Sequence, residues 1–167
     1  MVIHVQHTLA KSLDHINFSG KYHGLPLPDL QQPRTHENSD ALIELYGQCK
    51  WNIVDLLNKN YDADFNLNNW LLQNKHDEVA YFLNETGSNC LNYAQYKIPS
   101  QFHLWLGKKG FIIGIEQKGK GFNAQEIDQK KIKENEGAAF AFFHSCKSSI
   151  FFDNPDDARI VFMEFRL

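Results

Sequence analysis

Two stretches of this chain each read as strand, turn and strand, and together they commit it to an antiparallel sheet. QFHLWLGKKGFIIGIEQ, residues 101–117, sets aromatic and β-branched residues on both sides of Gly107-Lys108-Lys109-Gly110, the glycine-bounded turn of a hairpin. Near the carboxyl end, SSIFFD and ARIVFMEFRL flank Asn154-Pro155-Asp156-Asp157, a run in which Asn, Pro and Asp each favour a turn for their own physical reason.

Helical periodicity fills the sequence before and between these pairs. From Ser39 as N-cap, DALIELYGQCKWNIVDLLNKN brings Leu42, Leu45, Ile53, Leu56 and Leu57 close to one stripe. A second helix is predicted over residues 75–95, with Val79, Leu83, Gly87, Cys90 and Ala94 on one side and Glu85, Asn89 and Tyr93 at i, i+4 and i+8 on another. Glycine inside a helix costs about 1 kcal/mol relative to alanine, so Gly87 is expected to admit a close neighbour. After the hairpin come a glycine-containing loop, KGKGFNA, then AQEIDQKKIKENE as a polar helix or a lid, then GAAFAFFHSCK as an apolar helix. Strand pairs with helices grouped beside them predict an α+β fold, a two-layer α/β sandwich with a mainly antiparallel sheet and the helices on one face.

Residues 39–167 read as the main domain, with residues 1–38 as an N-terminal strand and extended segment packed on it. VIHVQHTL alternates imperfectly, HINFSGKYHG fits a short strand or a loop, and Pro26, Pro28 and Pro33 in GLPLPDLQQPRTHENS mark an extended connection.

With 167 residues, 43% of them hydrophobic and 22% charged, the chain suits one globular domain with a packed core. A formal net charge of -3 argues against a general electrostatic grip on nucleic acid or an anionic membrane. The start, MVIHVQHTLAKSL, lacks the basic and apolar regions of a signal peptide, and no run approaches the roughly 18 apolar residues of a membrane span, so a cytoplasmic location is expected. Cys49, Cys90 and Cys146 are odd in number and far apart, as suits reduced thiols better than disulfides or a zinc site. His4, His7, His15, His23 and His36 follow no metal-ligand spacing and read as scattered surface residues.

The polar ladder on the second helix carries the chemistry. A carboxylate at Glu85 can orient or deprotonate a water or hydroxyl, and the side-chain oxygen of Asn89 can ligate a hard cation such as Mg²⁺. Phosphoryl transfer needs both services, although a solvated helix face has the same composition.

The order of features from Ser39 to Leu167 resembles the GHKL superfamily, the ATP-binding fold of gyrase, sensor histidine kinases and bacterial anti-sigma-factor serine kinases. ETGSNCLNYA is similar to that family's E-x-x-x-N box, with Glu85 and Asn89 matching, Tyr93 standing where a His is frequent, and Ala94 as the small residue. Two strands later the family has D-x-G-x-G, and this chain has Gln117-Lys118-Gly119-Lys120-Gly121-Phe122. The family's lid ends in G-x-G-L at the start of a helix, which aligns with Gly137-Ala138-Ala139-Phe140.

The resemblance implies ATP and Mg²⁺ as cofactors, Glu85 as the activating carboxylate, Asn89 as the metal ligand, and Tyr93, Gln117, Gly119, Gly121, Gly137 and Ala139 around the nucleotide. It implies a bacterial regulatory protein whose partner is a sigma factor or an anti-sigma-factor antagonist, phosphorylated on Ser or Thr, and it leaves room for a homodimer. Departures from the pattern keep a second reading open, a module that has lost most of its affinity for ATP and works by binding a protein. Where the family's Asp accepts a hydrogen bond from the adenine amine, Gln117 accepts without charge. Charge-assisted bonds contribute about 1.5–3 kcal/mol against about 1 for neutral ones, a difference of about threefold to thirtyfold in affinity. Ala139 puts a β-carbon where glycine lets backbone N–H groups approach phosphate.

Overall fold

The computed structural model describes residues 4–27, 39–93, 100–117, 119–134 and 138–167. In chain order it contains helix α1 (Leu9–His15), strand β1 (Phe18–Pro26), α2 (Ser39–Tyr61), α3 (Glu78–Tyr93), β2 (Gln101–Gly107), β3 (Gly110–Glu116), α4 (Ala124–Glu134), α5 (Ala138–Ser145), β4 (Ser149–Phe152) and β5 (Ile160–Arg166). The five strands form one sheet in the order β1-β2-β3-β5-β4, and every pairing is antiparallel.

Alternation along the strands builds two faces. Phe102, Leu104 and Leu106 of β2, Phe111, Ile113 and Ile115 of β3, and Val161 and Met163 of β5 point to one side. There they bury Ile53, Val54 and Leu57 of α2, Val79, Phe82 and Leu83 of α3, and Phe142 and Phe143 of α5. β3 is buried along both faces until its last residue, as the middle strand of a sheet covered on both sides must be.

The opposite face corrects the expectation that the helices share one side. Ile112, Phe151 and Phe162 point away from the main core and pack with Ile16, Leu9 and Leu13, so α1 lies across the back of the sheet. Residues 9–15 are also helical, within a segment expected to be strand and extended chain. Leu9, Leu13 and Ile16 fall at i, i+4 and i+7, and Thr8 caps the helix by accepting from the Lys11 N–H at 3.3 Å. The element is two turns long, too short for its periodicity to stand out from the alternation before it.

Local chemistry fixes the remaining boundaries. Asp77 caps α3 by accepting from Ala80 N–H at 2.9 Å, and its other oxygen accepts from Asn66 N–H and Asn69 Nδ2. The Glu78 carboxylate accepts from the Lys147 and Ser148 backbone N–H groups and the Ser148 hydroxyl, which ties the start of α3 to the entry of β4. The turn between β4 and β5 is held by Asp153, whose Oδ1 accepts from Arg159 and Ile160 N–H. Gly87 has Lys50 and Phe102 side chains against it, the close neighbours expected at a helix-interior glycine. Most of the proline-containing connection, together with Gly137, Lys118, Ala94 and the side chains of Leu42, Cys90 and Tyr93, lies outside the described residues. Among the described residues no helix is long and apolar enough to cross a membrane.

Candidate functional site

The loop after β3 is built around Gln117 and Gly121. Gln117 N–H donates to Arg159 O, and Phe122 and Ala158 exchange backbone hydrogen bonds at 3.1 and 2.7 Å, so the loop is zipped to the turn before β5. Gly121 is required by that closeness, because a β-carbon there would lie 2.0 Å from Asp157 Oδ1 and 2.9 Å from its carbonyl carbon. Arg159 Nε donates to Gly119 O at 3.1 Å.

Gln117 is 9% exposed, and its Nε2 donates to Lys120 O at 2.9 Å, which fixes the orientation of the amide. Its Oε1 is buried and has no hydrogen-bond partner among the described residues. A buried acceptor left unpaired costs about 1–3 kcal/mol.

The residues on α3 have a different setting. Asn89 is exposed and Glu85 half-buried. Glu85 Oε1 accepts a hydrogen bond of 2.6 Å from Trp70 Nε1. Thr86, beside it, is 5% exposed, and its Oγ1 has no partner among the described residues. Ala139 is 3% exposed and belongs to the main core. Glu85 lines an open groove of about 1020 Å³ whose walls include Lys75, Tyr81, Phe142, Cys146 and Arg166. Gln117, Gly119 and Gly121 do not line that groove.

The groove's thiol is not a nucleophile at neutral pH. Burial, with the nearby Glu78 charge, pushes Cys146 up to about 12. In native protein at pH 8 Cys146 is expected to resist iodoacetamide and to react once urea unfolds the chain. Peptide mapping after labelling checks this, and rapid native alkylation of Cys146 would contradict it.

A second constellation was not legible in the histidine spacing. Glu164 of β5 is 1% exposed and faces α1. Its carboxylate accepts from the Ser12 hydroxyl at 2.5 Å and from Arg166 Nε at 2.7 Å, with His7 Nε2 at 3.0 Å and His15 Nδ1 at 3.2 Å. The two imidazoles stack with centroids 5.3 Å apart, and the edge of Phe151 braces His7 at 4.8 Å. Burial alone would raise the carboxyl, but the hydrogen bonds from Ser12, Arg166, His7 and His15 outweigh it and hold Glu164 at about 2. His7 and His15 are therefore not scattered, since they bracket α1 and converge on Glu164, although His15 is exposed as expected. Only the fold brings them to a residue more than a hundred positions away.

No protein-family model matches the chain, and comparison with curated proteins gives no match.

Proposed function

We propose that this chain is a nucleotide-binding regulator of the GHKL type, binding Mg·ATP and acting on a protein partner in the manner of the anti-sigma-factor serine kinases. The observation that carries this reading is the buried, unpartnered Gln117 Oε1 in a glycine loop two strands after the E-x-x-x-N helix. The succession α3, β2, β3, glycine loop, α4 in the place of the lid, α5, β4 and β5 follows the order the resemblance calls for and supports the same reading. In it, Gln117 accepts from the adenine amine, Asn89 supplies an oxygen to Mg²⁺, and Glu85, once released from Trp70, activates the acceptor hydroxyl on a partner's Ser or Thr.

A second reading is favoured by the Trp70–Glu85 hydrogen bond, by Ala139 packed into the core, and by Glu85 lining a groove that Gln117, Gly119 and Gly121 do not line. It is a module without appreciable ATP affinity that works by binding a protein. Calorimetric titration with ATP, with and without Mg²⁺, separates the two. The nucleotide reading expects saturable Mg²⁺-dependent binding, a loss of the Mg²⁺ dependence in Asn89→Ala, and about tenfold weaker binding in Gln117→Leu. No heat at millimolar ATP would sink it in favour of the second.

A further inference from the structure

We propose that His7, His15 and Glu164 form a site for one zinc-class transition-metal ion, which staples α1 to the back of the sheet. It is independent of the nucleotide reading, although Glu164 and Arg166 also line the groove that holds Glu85.

The donor set comes first. One ligand atom from each of the three residues lies within 4.8 Å of the other two. Two imidazoles and one carboxylate match borderline-soft divalent ions such as Zn²⁺ and disfavour Mg²⁺ and Ca²⁺, which take oxygen ligands. Zinc bonds of about 2.0–2.1 Å in tetrahedral array hold their ligand atoms about 3.4 Å apart. Here His7 Nε2 is 3.0 Å and His15 Nδ1 3.2 Å from Glu164 Oε2, close to that spacing, and the two ring nitrogens lie within 4.8 Å of each other. The other His–carboxylate pairs described, His103–Glu116 and His144–Asp128, each offer a single imidazole.

Arg166 Nη2 lies 2.9 Å and both Glu164 oxygens lie 3.2 Å from His15 Nδ1, so a guanidinium and a carboxylate already meet at the nitrogen that would bind the metal. A cation is thus already held between His15 and Glu164, where a metal ion would sit. Arg166 is 60% exposed, so it can swing into solvent when the metal enters. Ser12, donating to Glu164 Oε2, remains as the outer hydrogen bond that orients the carboxylate. Binding transfers the proton on His7 Nε2 to its other ring nitrogen or to water. His15, with a side chain 40% exposed, leaves the approach open, and water completes the coordination.

The probe is Zn²⁺ itself, titrated into the chelator-stripped chain at pH 7.5 with a chromophoric competitor. One ion per chain is expected, with affinity falling more than about a hundredfold in His15→Ala and in Glu164→Gln and unchanged in His103→Ala. Arg166→Ala distinguishes a metal site from a purely structural cluster. It is expected to tighten Zn²⁺ binding about tenfold, because it removes a competing cation from the site. Should the ligand variants fail to fold, Co²⁺ in the wild-type chain gives a separate readout, the intense visible bands of a four-coordinate centre. Absence of saturable binding, binding that survives His15→Ala, weaker binding in Arg166→Ala, or a six-coordinate Co²⁺ spectrum would each overturn the proposal.

Discussion

Glu164→Gln is expected to cost about 3 kcal/mol of stability at pH 7 in the presence of EDTA, and almost nothing at pH 2. The side chain is fully buried and its carboxyl sits at about 2 instead of the ordinary 4.5. Each unit of such a shift is worth about 1.4 kcal/mol between the two protonation states. Because the folded chain binds this proton more weakly than the unfolded chain does, the stabilisation is complete above about pH 4.5. It is lost as pH falls through the interval down to about 2, where the protonated wild type comes to resemble the glutamine variant. Ser12 and His7 carry most of this effect, since Arg166 is largely exposed and its charge is screened by water. Urea denaturation of both proteins at pH 7, 4 and 2.5 reads out the difference, in which the other acidic groups cancel. A gap below 1 kcal/mol at pH 7, or one that does not narrow with acid, would mean that the network does not hold the carboxylate charged.

The same residue shows where sequence reading reaches its limit. The hairpin over 101–117 and the final strand pair were legible because their turns are written in local chemistry, Gly107 to Gly110 and Asn154 to Asp157. The long helices were legible because each carries a stripe of apolar residues over several turns. α1 was not, since two turns give too few repeats to outweigh the Val-rich alternation that precedes it. Its position on the back of the sheet is set by Leu9, Leu13 and Ile16 meeting Ile112, Phe151 and Phe162, contacts no local pattern announces. Glu164 in MEFR looks like an outward-facing strand residue, and it would be one if α1 did not cover it. Of the candidate nucleotide residues, the sequence singled out Gln117 as an acceptor. It could not reveal that the acceptor is buried and unpaired, or that Trp70 engages Glu85.

Gly107→Ala is expected to lower stability by about 3 kcal/mol, whereas Gly47→Ala is expected to raise it by about 1. The β-carbon of an alanine at 107 would lie 2.1 Å from the carbonyl oxygen of Ile16 and 2.8 Å from its carbonyl carbon. Neither side can yield cheaply. Ile16 O accepts from Lys109 N–H at 2.9 Å, and Ile16 itself is fully buried. Gly107 N–H donates to the Tyr61 hydroxyl at 3.0 Å, and that oxygen also lies 2.8 Å from the Gly107 and Gly110 carbonyl oxygens. The added methyl must therefore push α1 off the sheet or pull the β2–β3 hairpin from its tyrosine clamp, and overpacking of this kind costs about 1–3 kcal/mol or more. Gly47, inside α2, has no neighbour within 4 Å of the added carbon, so alanine there gains helix propensity without a clash. Thermal melts of the two variants should move in opposite directions, Gly107→Ala downward by about 10 °C. Because the displaced element carries His7 and His15, Gly107→Ala should also weaken Zn²⁺ binding while Gly47→Ala leaves it unchanged. Equal melting temperatures for the two variants would mean that the contact between Ile16 and the hairpin does not anchor α1.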